Sequence, residues 1–327
     1  MDEESRALDQ KMKRNAAATD NNTIRGVDNT SIGTVYKKLT NDDFQLLEHF
    51  ISNLKKFEYI PLEVIVKHFK KRFTEKEIVA RVKKLAKMKL IERHPITEAY
   101  KLRFLGLDCA ALHRLVTKDV IKAIGDEIGT GKESKLYIGI SEDDSIVVVK
   151  FYRIWKSFRN ISKMRSYGND VGGVTWLVKS IVSGRREREA LTILNKHSVD
   201  GVPKLYGGAL HAVVIEYIPG RDLYAVTQFD NPEEILQQII DIIKEAYIKA
   251  NIVHGDLSEY NVVIDLEDMK SYIIDWPQYV STAEPKAYEV LRRDVENVLK
   301  FFRRKFRVDK DLNEVIKYIV EGKSTSS

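Results

Sequence analysis

Between Ile252 and Asp275 the chain fixes the spacing of three oxygen-bearing side chains. The run Ile252-Val-His-Gly-Asp256-Leu-Ser-Glu-Tyr-Asn261 sets Asp256 and Asn261 on one loop, and Asn261 opens the apolar run Val262-Val263-Ile264. A second β-rich run, Tyr272-Ile273-Ile274, ends in Asp275, and the polar stretch Asp265 to Lys270 between the runs reads as a hairpin turn. Asn261 and Asp275 therefore project from neighbouring strand ends. An amide and a carboxylate there supply part of the oxygen shell that a hard divalent cation takes, with water completing it. Asp256 is left for an attacking hydroxyl. Phosphoryl transfer asks a protein mainly for positioning and charge neutralisation, so this small set suffices if a nucleotide cradle lies upstream. The alternative is a β-hairpin that merely carries polar residues. The pattern H-G-D-x-x-x-x-N followed by I-D weighs against it, because it meets several constraints at once.

A cradle is present. Ile128-Gly129-Thr-Gly131-Lys132-Glu-Ser134-Lys-Leu-Tyr137 places two glycines between β-rich runs. Their backbone can approach phosphates and donate amide hydrogen bonds, and the Ser134 hydroxyl can join them. The loop has neither a third glycine nor the glycine spacing of a Walker loop, and alone it is weak evidence. The next strand ends its valine run in Lys150, as in the V-A-I-K pattern whose ammonium grips phosphates; a surface lysine at a strand end is the plainer reading. Arg185-Arg-Glu187-Arg-Glu189 offers that lysine an acidic partner, Glu187 in preference to Glu189. The strand His211 to Ile218, running into Pro219-Gly220, fits a hinge between two lobes where main-chain groups of Glu216 and Ile218 meet an adenine edge. His254 reads as a loop-packing residue.

At 327 residues the chain has room for two or three domains. Residues 1–39 lack a periodic apolar face and read as a disordered tail. Residues 40–116 carry three amphipathic helices and a short hairpin, the order of a winged helix. Its third helix starts at the capping pair Thr74 and Glu77, with Lys76, Lys83, Lys84 and Lys87 on the face away from the core. A net charge of +6 suits a polyanionic partner, so these lysines are candidates for nucleic-acid contact; a solvated basic face is the alternative. Residues 117–327 form the catalytic domain, with the lobes meeting near 217 and the second lobe running from 218 to 320. Cys109 is the only cysteine, which excludes an internal disulfide and a multi-cysteine zinc site; its apolar neighbours make it a buried helical residue. No signal-like or membrane-spanning run appears, so a cytoplasmic location is expected. The fold class is α+β, a winged helix followed by a compact two-lobed protein-kinase-like domain.

Together these motifs resemble the RIO kinase family, in the branch that carries an amino-terminal winged helix. The marks are that module, the Gly129 to Ser134 loop, Ser157-Phe-Arg159, His254-Gly-Asp-Leu-Ser-Glu-Tyr-Asn261 and Ile274-Asp-Trp-Pro-Gln278. The resemblance covers the chain from about residue 40. It implies an atypical serine/threonine kinase or ATPase that uses ATP with Mg²⁺ (or Mn²⁺) and acts late in maturation of small ribosomal subunit precursors. It further implies a catalytic role for Asp256, metal ligation by Asn261 and Asp275, and ATP contacts from Ser134, Lys150 and the hinge. In keeping with the family, Asp275 is also a candidate for an aspartyl-phosphate intermediate. Trp276 departs from the usual phenylalanine without removing a catalytic group.

Independently of the family, residues 276–327 contain no Ala-Pro-Glu motif and read as two closing helices, which leaves little for a peptide platform. ATP hydrolysis coupled to a particle is then at least as good a reading as protein phosphorylation. Two other functions compete. A small-molecule kinase of the aminoglycoside or choline type shares H-G-D-x-x-x-x-N but needs a larger pocket after Asp275. A nucleic-acid-binding regulator with a degenerate kinase domain is opposed by the presence of Lys150, Asp256, Asn261 and Asp275.

Overall fold

Reciprocal capping boxes start two of the amino-terminal helices. Thr40 and Asp43 cap α2 (Asn41–Ser52), and Thr74 and Glu77 cap α4 (Glu75–Lys87), each pair exchanging side-chain bonds with the other's backbone N–H. The computed structural model describes residues 31–131, 133–154 and 175–321. Most of the expected tail, residues 1–30, lies outside them. Residues 31–39 do not continue such a tail: Ser31 caps the short helix α1 (Ile32–Tyr36), and Ile32 and Val35 are buried in the adjoining core. The two apolar residues three apart are enough to dock one helical turn.

α3 (Leu62–Phe69) and α4 pack beside α2, and β1 (Ile60–Pro61), β3 (Ala99–Leu102) and β2 (Ile91–Arg93) form an antiparallel sheet in the order β1-β3-β2. This is the winged helix. α5 (Phe104–Val116) follows, with seven consecutive buried residues from Gly106 to Leu112. It lies on a five-stranded antiparallel sheet of order β4-β5-β6-β8-β7. Its strands are β4 (Ile121–Thr130), β5 (Ser134–Ser141), β6 (Ile146–Tyr152), β7 (Leu205–Ala209) and β8 (Ala212–Glu216).

Alternation along β6 divides two cores. Val147, Val149 and Phe151 join α5 and the winged-helix residues in one apolar cluster. Val148 and Tyr152 face the other way, toward α6 (Trp176–Lys196) and the second lobe. That lobe is built on α7 (Pro232–Ile248), α8 (Ala287–Phe306) and α9 (Leu312–Val320), the last two being the closing helices expected. β9 (Gly220–Asp222), β11 (Val262–Asp265) and β12 (Lys270–Ile273) form a small sheet, and β10 (Ile252–Val253) pairs with β13 (Val280–Ser281). Among the described residues no helix is long and apolar enough to cross a membrane.

A buried polar bridge ties α5 to the sheet. Asp108, 2% exposed, accepts from the Arg153 guanidinium just past β6 and from His211 Nε2 at 2.8 Å. Burial alone would raise the Asp108 carboxyl, but Arg153 and His211 reverse this and hold it below the usual range. One residue along, Cys109 is fully buried and its thiol is pushed up by that burial and by Asp108, as a packing residue should be.

Candidate active site

Lys150 and Tyr152 share one face of β6 and meet two carboxylates there. The Lys150 ammonium is 6% exposed and donates to Glu187 Oε1 and to Asp275 Oδ1, each at 3.0 Å. Glu187 reaches it from the buried stripe of α6 that continues through Ala190, Leu191 and Leu194. Glu189 instead pairs with Arg185 at the surface. The Tyr152 hydroxyl lies 2.6 Å from Glu187 Oε2 and 2.9 Å from Asp275 Oδ1.

The charges in this group stabilise one another. Burial works against the Lys150 ammonium, but Asp275 and Glu187 more than reverse it and raise its pKa. Burial also raises the Glu187 carboxyl, and Lys150 and Tyr152 offset that only in part. Asp275 is pushed up by burial too, yet Lys150 and the Tyr152 hydrogen bond hold it below the ordinary carboxylate range. The Tyr152 phenol, buried beside two carboxylates, is held firmly protonated.

The loop before β11 is fastened from below. Gly255 has φ +88°, and a Cβ there would fall 2.3 Å from the Gln278 carbonyl oxygen, so only glycine fits. Its N–H donates to the buried Asp294 carboxylate of α8 at 2.7 Å. His254 donates from Nε2 to the Ile274 carbonyl at 2.9 Å and accepts the Asp256 N–H on Nδ1 at 3.2 Å, which fixes its tautomer. With its ring 4.7 Å from that of Trp276 it packs the loop, as its setting in the sequence suggested. Asp256 itself is exposed.

Asn261 donates from Nδ2 to the Asp256 carbonyl at 2.7 Å, which turns its oxygen the other way, and its own carbonyl accepts the Ile274 N–H at 3.0 Å. β11 and β12 pair Val262 with Ile273, so Asn261 and Asp275 flank the same end of the hairpin. Asp275 adopts φ +66°, a left-handed conformation that aspartate tolerates better than most residues. Among the described residues neither Asn261 Oδ1 nor Asp275 Oδ2 takes part in a hydrogen bond. Two hard, unengaged oxygens fit Mg²⁺ shared with phosphate groups. No cluster of three His, Cys, Asp or Glu is present among the described residues to form an all-protein cage.

The glycine loop lies beside this group, since β5 and β6 pair Ser134 with Tyr152 and Leu136 with Lys150. A Cβ at Gly129 or Gly131 would meet nothing nearer than 3.6 Å among the described residues. The fold does not demand glycine there; the missing side chains leave room above the loop. The Gly131 N–H already donates to the Ser134 carbonyl at 2.9 Å, so that amide is not among those offered to a phosphate. Lys132 lies outside the described residues, as does Ser157-Phe-Arg159. At the hinge, Glu216 N–H donates to the Lys204 carbonyl and Ile218 C=O accepts from Gly220, both at 2.9 Å.

One expected cluster divides. Lys76, Lys83 and Lys87 are exposed, and at 100° per residue they fall within about 40° of one another around α4. Lys84 lies about 80° from Lys76, and its ammonium turns inward to the fully buried Asp43 at 2.5 Å. It is a structural cation and does not belong to the free basic face. Lys76 and Lys83 border an open groove of about 680 Å³ together with Thr74, Glu75, Val79 and Ala80.

Comparison with known proteins follows these two halves. Residues 135–315 match the family described as RIO domain, and residues 36–118 match the one described as Rio2, N-terminal. The chain is 32% identical over 279 residues to the RIO-type serine/threonine-protein kinase Rio2 of Methanocaldococcus jannaschii, spanning 82% of this chain and all of that one. It is 30% identical to the serine/threonine-protein kinase RIO2 of Caenorhabditis elegans over 84% of this chain and 51% of that protein, so it spans about half the length of that relative. The chain belongs to the Rio2 branch of the RIO serine/threonine kinases. Among solved structures, the Rio2 kinase–ADP/Mg²⁺–phosphoaspartate complex from Chaetomium thermophilum superimposes with a TM-score of 0.71 at 26% identity, covering 90% of each chain.

Two residues of this RIO site escape a reading by motif. Tyr152 stands two positions after Lys150, and strand alternation alone places it on the same face; the signal was there in the spacing. Asp294 is a lone carboxylate within the apolar stripe Leu291, Val295, Val298 of α8. A charge at a core position is itself a sign of a buried partner.

Proposed function

We propose that this RIO kinase transfers the γ-phosphoryl group of Mg-ATP to its own Asp275, and that hydrolysis of the resulting acyl phosphate completes an ATPase cycle. One observation carries the reading: Lys150 and Tyr152 both engage Asp275 Oδ1, while Oδ2, beside the Asn261 oxygen, has no protein partner among the described residues. The similar Rio2 kinase captured with ADP, Mg²⁺ and phosphoaspartate supports it. Asn261 and Asp275 would hold Mg²⁺, which neutralises phosphate charge when bound. Lys150, oriented by Glu187, grips phosphate oxygens. Gly129, Gly131 and Ser134 leave the loop open to the phosphate chain, and Lys132 is a further candidate contact by its place in the sequence. The adenine edge falls to Ile218 N–H and Glu216 C=O.

In the first step an Asp275 oxygen forms a bond to the γ-phosphorus as the bond to the bridging oxygen breaks, and ADP leaves with that electron pair. In the second, water attacks the phosphorus and Asp256 accepts its proton; inorganic phosphate leaves and the Asp275 carboxylate is restored. The route past Asp275 supports transfer to an internal acceptor: Trp276 is buried, Val280–Ser281 pair with β10, and α8 begins at Ala287. We further propose that the cycle is used on small ribosomal subunit precursors in the cytoplasm. In this reading, residues 40–116 contact RNA through Lys76, Lys83 and Lys87, and residues 117–320 carry the chemistry.

Labelling with γ-phosphate-tagged ATP, followed by denaturation and hydroxylamine, tests the central step. Label should be released by hydroxylamine and be absent from Asp275→Ala. Hydroxylamine-resistant label on serine would leave Asp275 as a metal ligand alone. ATP turnover should rise on adding small-subunit particles, and no change would remove the ribosomal part of the proposal.

A further inference from the structure

We infer that Tyr152 is a positioning residue of this site: its hydroxyl holds Asp275 Oδ1 so that Oδ2 is the oxygen presented to Mg²⁺ and phosphate. The inference rests on the reading of Asp275 as a metal ligand. Tyr152 is 1% exposed, yet its hydroxyl points into a cluster of charged groups, within 3 Å of two carboxylates. Its ring centroid lies 4.8 Å from the Lys150 ammonium. A tyrosine that only filled space would bring its apolar ring here and no more. A phenol has one proton to donate, so it cannot donate to Glu187 Oε2 and Asp275 Oδ1 at once. Lys150 holds both carboxylates at 3.0 Å, so the phenol proton serves one of them at a time, and its contact with Asp275 is the one that reaches the metal ligand.

A carboxylate held by Lys150 alone can rotate about its Cβ–Cγ bond and exchange its two oxygens, since a single ammonium contact does not distinguish them. The second donor on the same oxygen removes that freedom. Lys150 approaches Oδ1 from β6 at 3.0 Å and the Tyr152 hydroxyl reaches the same atom at 2.9 Å, so the plane of the carboxylate is set before any ligand arrives. The left-handed backbone of Asp275 adds to the need for such a clamp, because the residue must be kept in a conformation it does not prefer.

The test is the Mg²⁺ dependence of ADP binding by calorimetry on the full chain, compared for wild type, Tyr152→Phe and Asp275→Asn. Loss of one hydrogen bond to a charged group should raise the Mg²⁺ concentration at half-effect by about tenfold in Tyr152→Phe. ADP affinity without metal should stay near wild type even though loss of a buried hydrogen bond lowers the melting temperature, whereas a merely structural role would lower both together. p-Aminophenylalanine placed at position 152 keeps the ring and restores donors, and it should return the Mg²⁺ half-point to wild type or below. It also serves if Tyr152→Phe does not fold. An unchanged half-point in Tyr152→Phe beside a raised one in Asp275→Asn overturns the role of Tyr152 and leaves the metal reading intact. Failure of p-aminophenylalanine to restore the half-point also overturns it. An unchanged half-point in Asp275→Asn overturns both.

Discussion

Asp294, on the closing helix α8, accepts the backbone N–H of Gly255 at 2.7 Å and so anchors the loop that carries Asp256 from below. The carboxylate is 1% exposed, and burial raises its pKa although the Gly255 N–H and Arg293 act against this. Arg293 reinforces the arrangement by donating to the Gly255 carbonyl at 2.5 Å. Asp294→Ala strands the Gly255 N–H without a partner, a loss of about 1–3 kcal/mol. Chemical denaturation should register that loss. Turnover should fall with little change in ADP affinity, because the loop that shifts carries Asp256 and the nucleotide contacts lie elsewhere. A parallel loss of nucleotide affinity would mean that the anchor serves the whole cleft.

Lys150 and Glu187 should behave as one unit. Lys150→Ala leaves Glu187, 1% exposed, without its cation, whereas Glu187→Ala leaves Lys150 still bonded to Asp275. Turnover should drop further in the first variant than in the second. The double variant should fall short of the sum of the two by roughly 0.5–3 kcal/mol. Strict additivity in the cycle would show that the two side chains act separately.

The divided lysine cluster gives opposite outcomes on one helix. Replacing Lys76, Lys83 and Lys87 by glutamate should weaken binding to RNA or small-subunit particles. It should also make the salt dependence shallower by about 2–3 in log–log slope, since each lost phosphate contact releases one counterion fewer. ADP affinity should not move. Lys84→Glu should instead set a like charge against the buried Asp43 and destabilise the winged helix by about 2 kcal/mol or more. The partial exposure of Lys84 keeps the effect below that of a fully buried pair. Equal effects of all four lysines on particle binding would contradict this division.

His49 makes the winged helix sensitive to acid. It is 9% exposed, its ring lies 4.2 Å from that of His68, and burial together with His68 lowers its pKa to about 4. The folded imidazole stays neutral where the unfolded one, near 6.5, takes up a proton. Its contribution to stability is therefore complete above about pH 6.5 and is lost as pH falls toward 4. His49→Phe, which keeps a ring at that position, should flatten the stability–pH curve across that window. An unchanged curve would place the acid sensitivity in the carboxylates.

Much of the site could be read from the chain because its spacing is local. Asn261 and Asp275 flank the open end of one hairpin and Asp256 lies on the loop leading into it, so turn chemistry and sequence spacing place all three. Charge pattern alone gives no helical phase by which to separate Glu187 from Glu189; the place of Glu187 on the buried stripe of α6 settles which one meets Lys150. Lys84 was misplaced because its partner, Asp43, is 41 residues away on another helix, and no local pattern announces such a pairing. Helix α1 was missed because one turn with two apolar residues has no periodicity of its own. Its existence depends on the core it docks against. Asp294 and Tyr152 belong to the same class, as residues defined by what the fold brings to them.

Strand β6 is a party wall. Lys150 and Tyr152 stand on its inner side, while Val147, Val149 and Phe151 on its outer side are, at 0% exposure, part of the winged helix's own core. Cutting the chain near residue 117 would strip that wall and leave three large apolar side chains facing water at about 1.5–3 kcal/mol each. The strand that positions the phosphate-gripping lysine would be the one laid bare. An excised catalytic half of this chain would thus need a new outer face before it could be handled as an enzyme, and whatever grips the winged helix is pressing on the back of the nucleotide sheet.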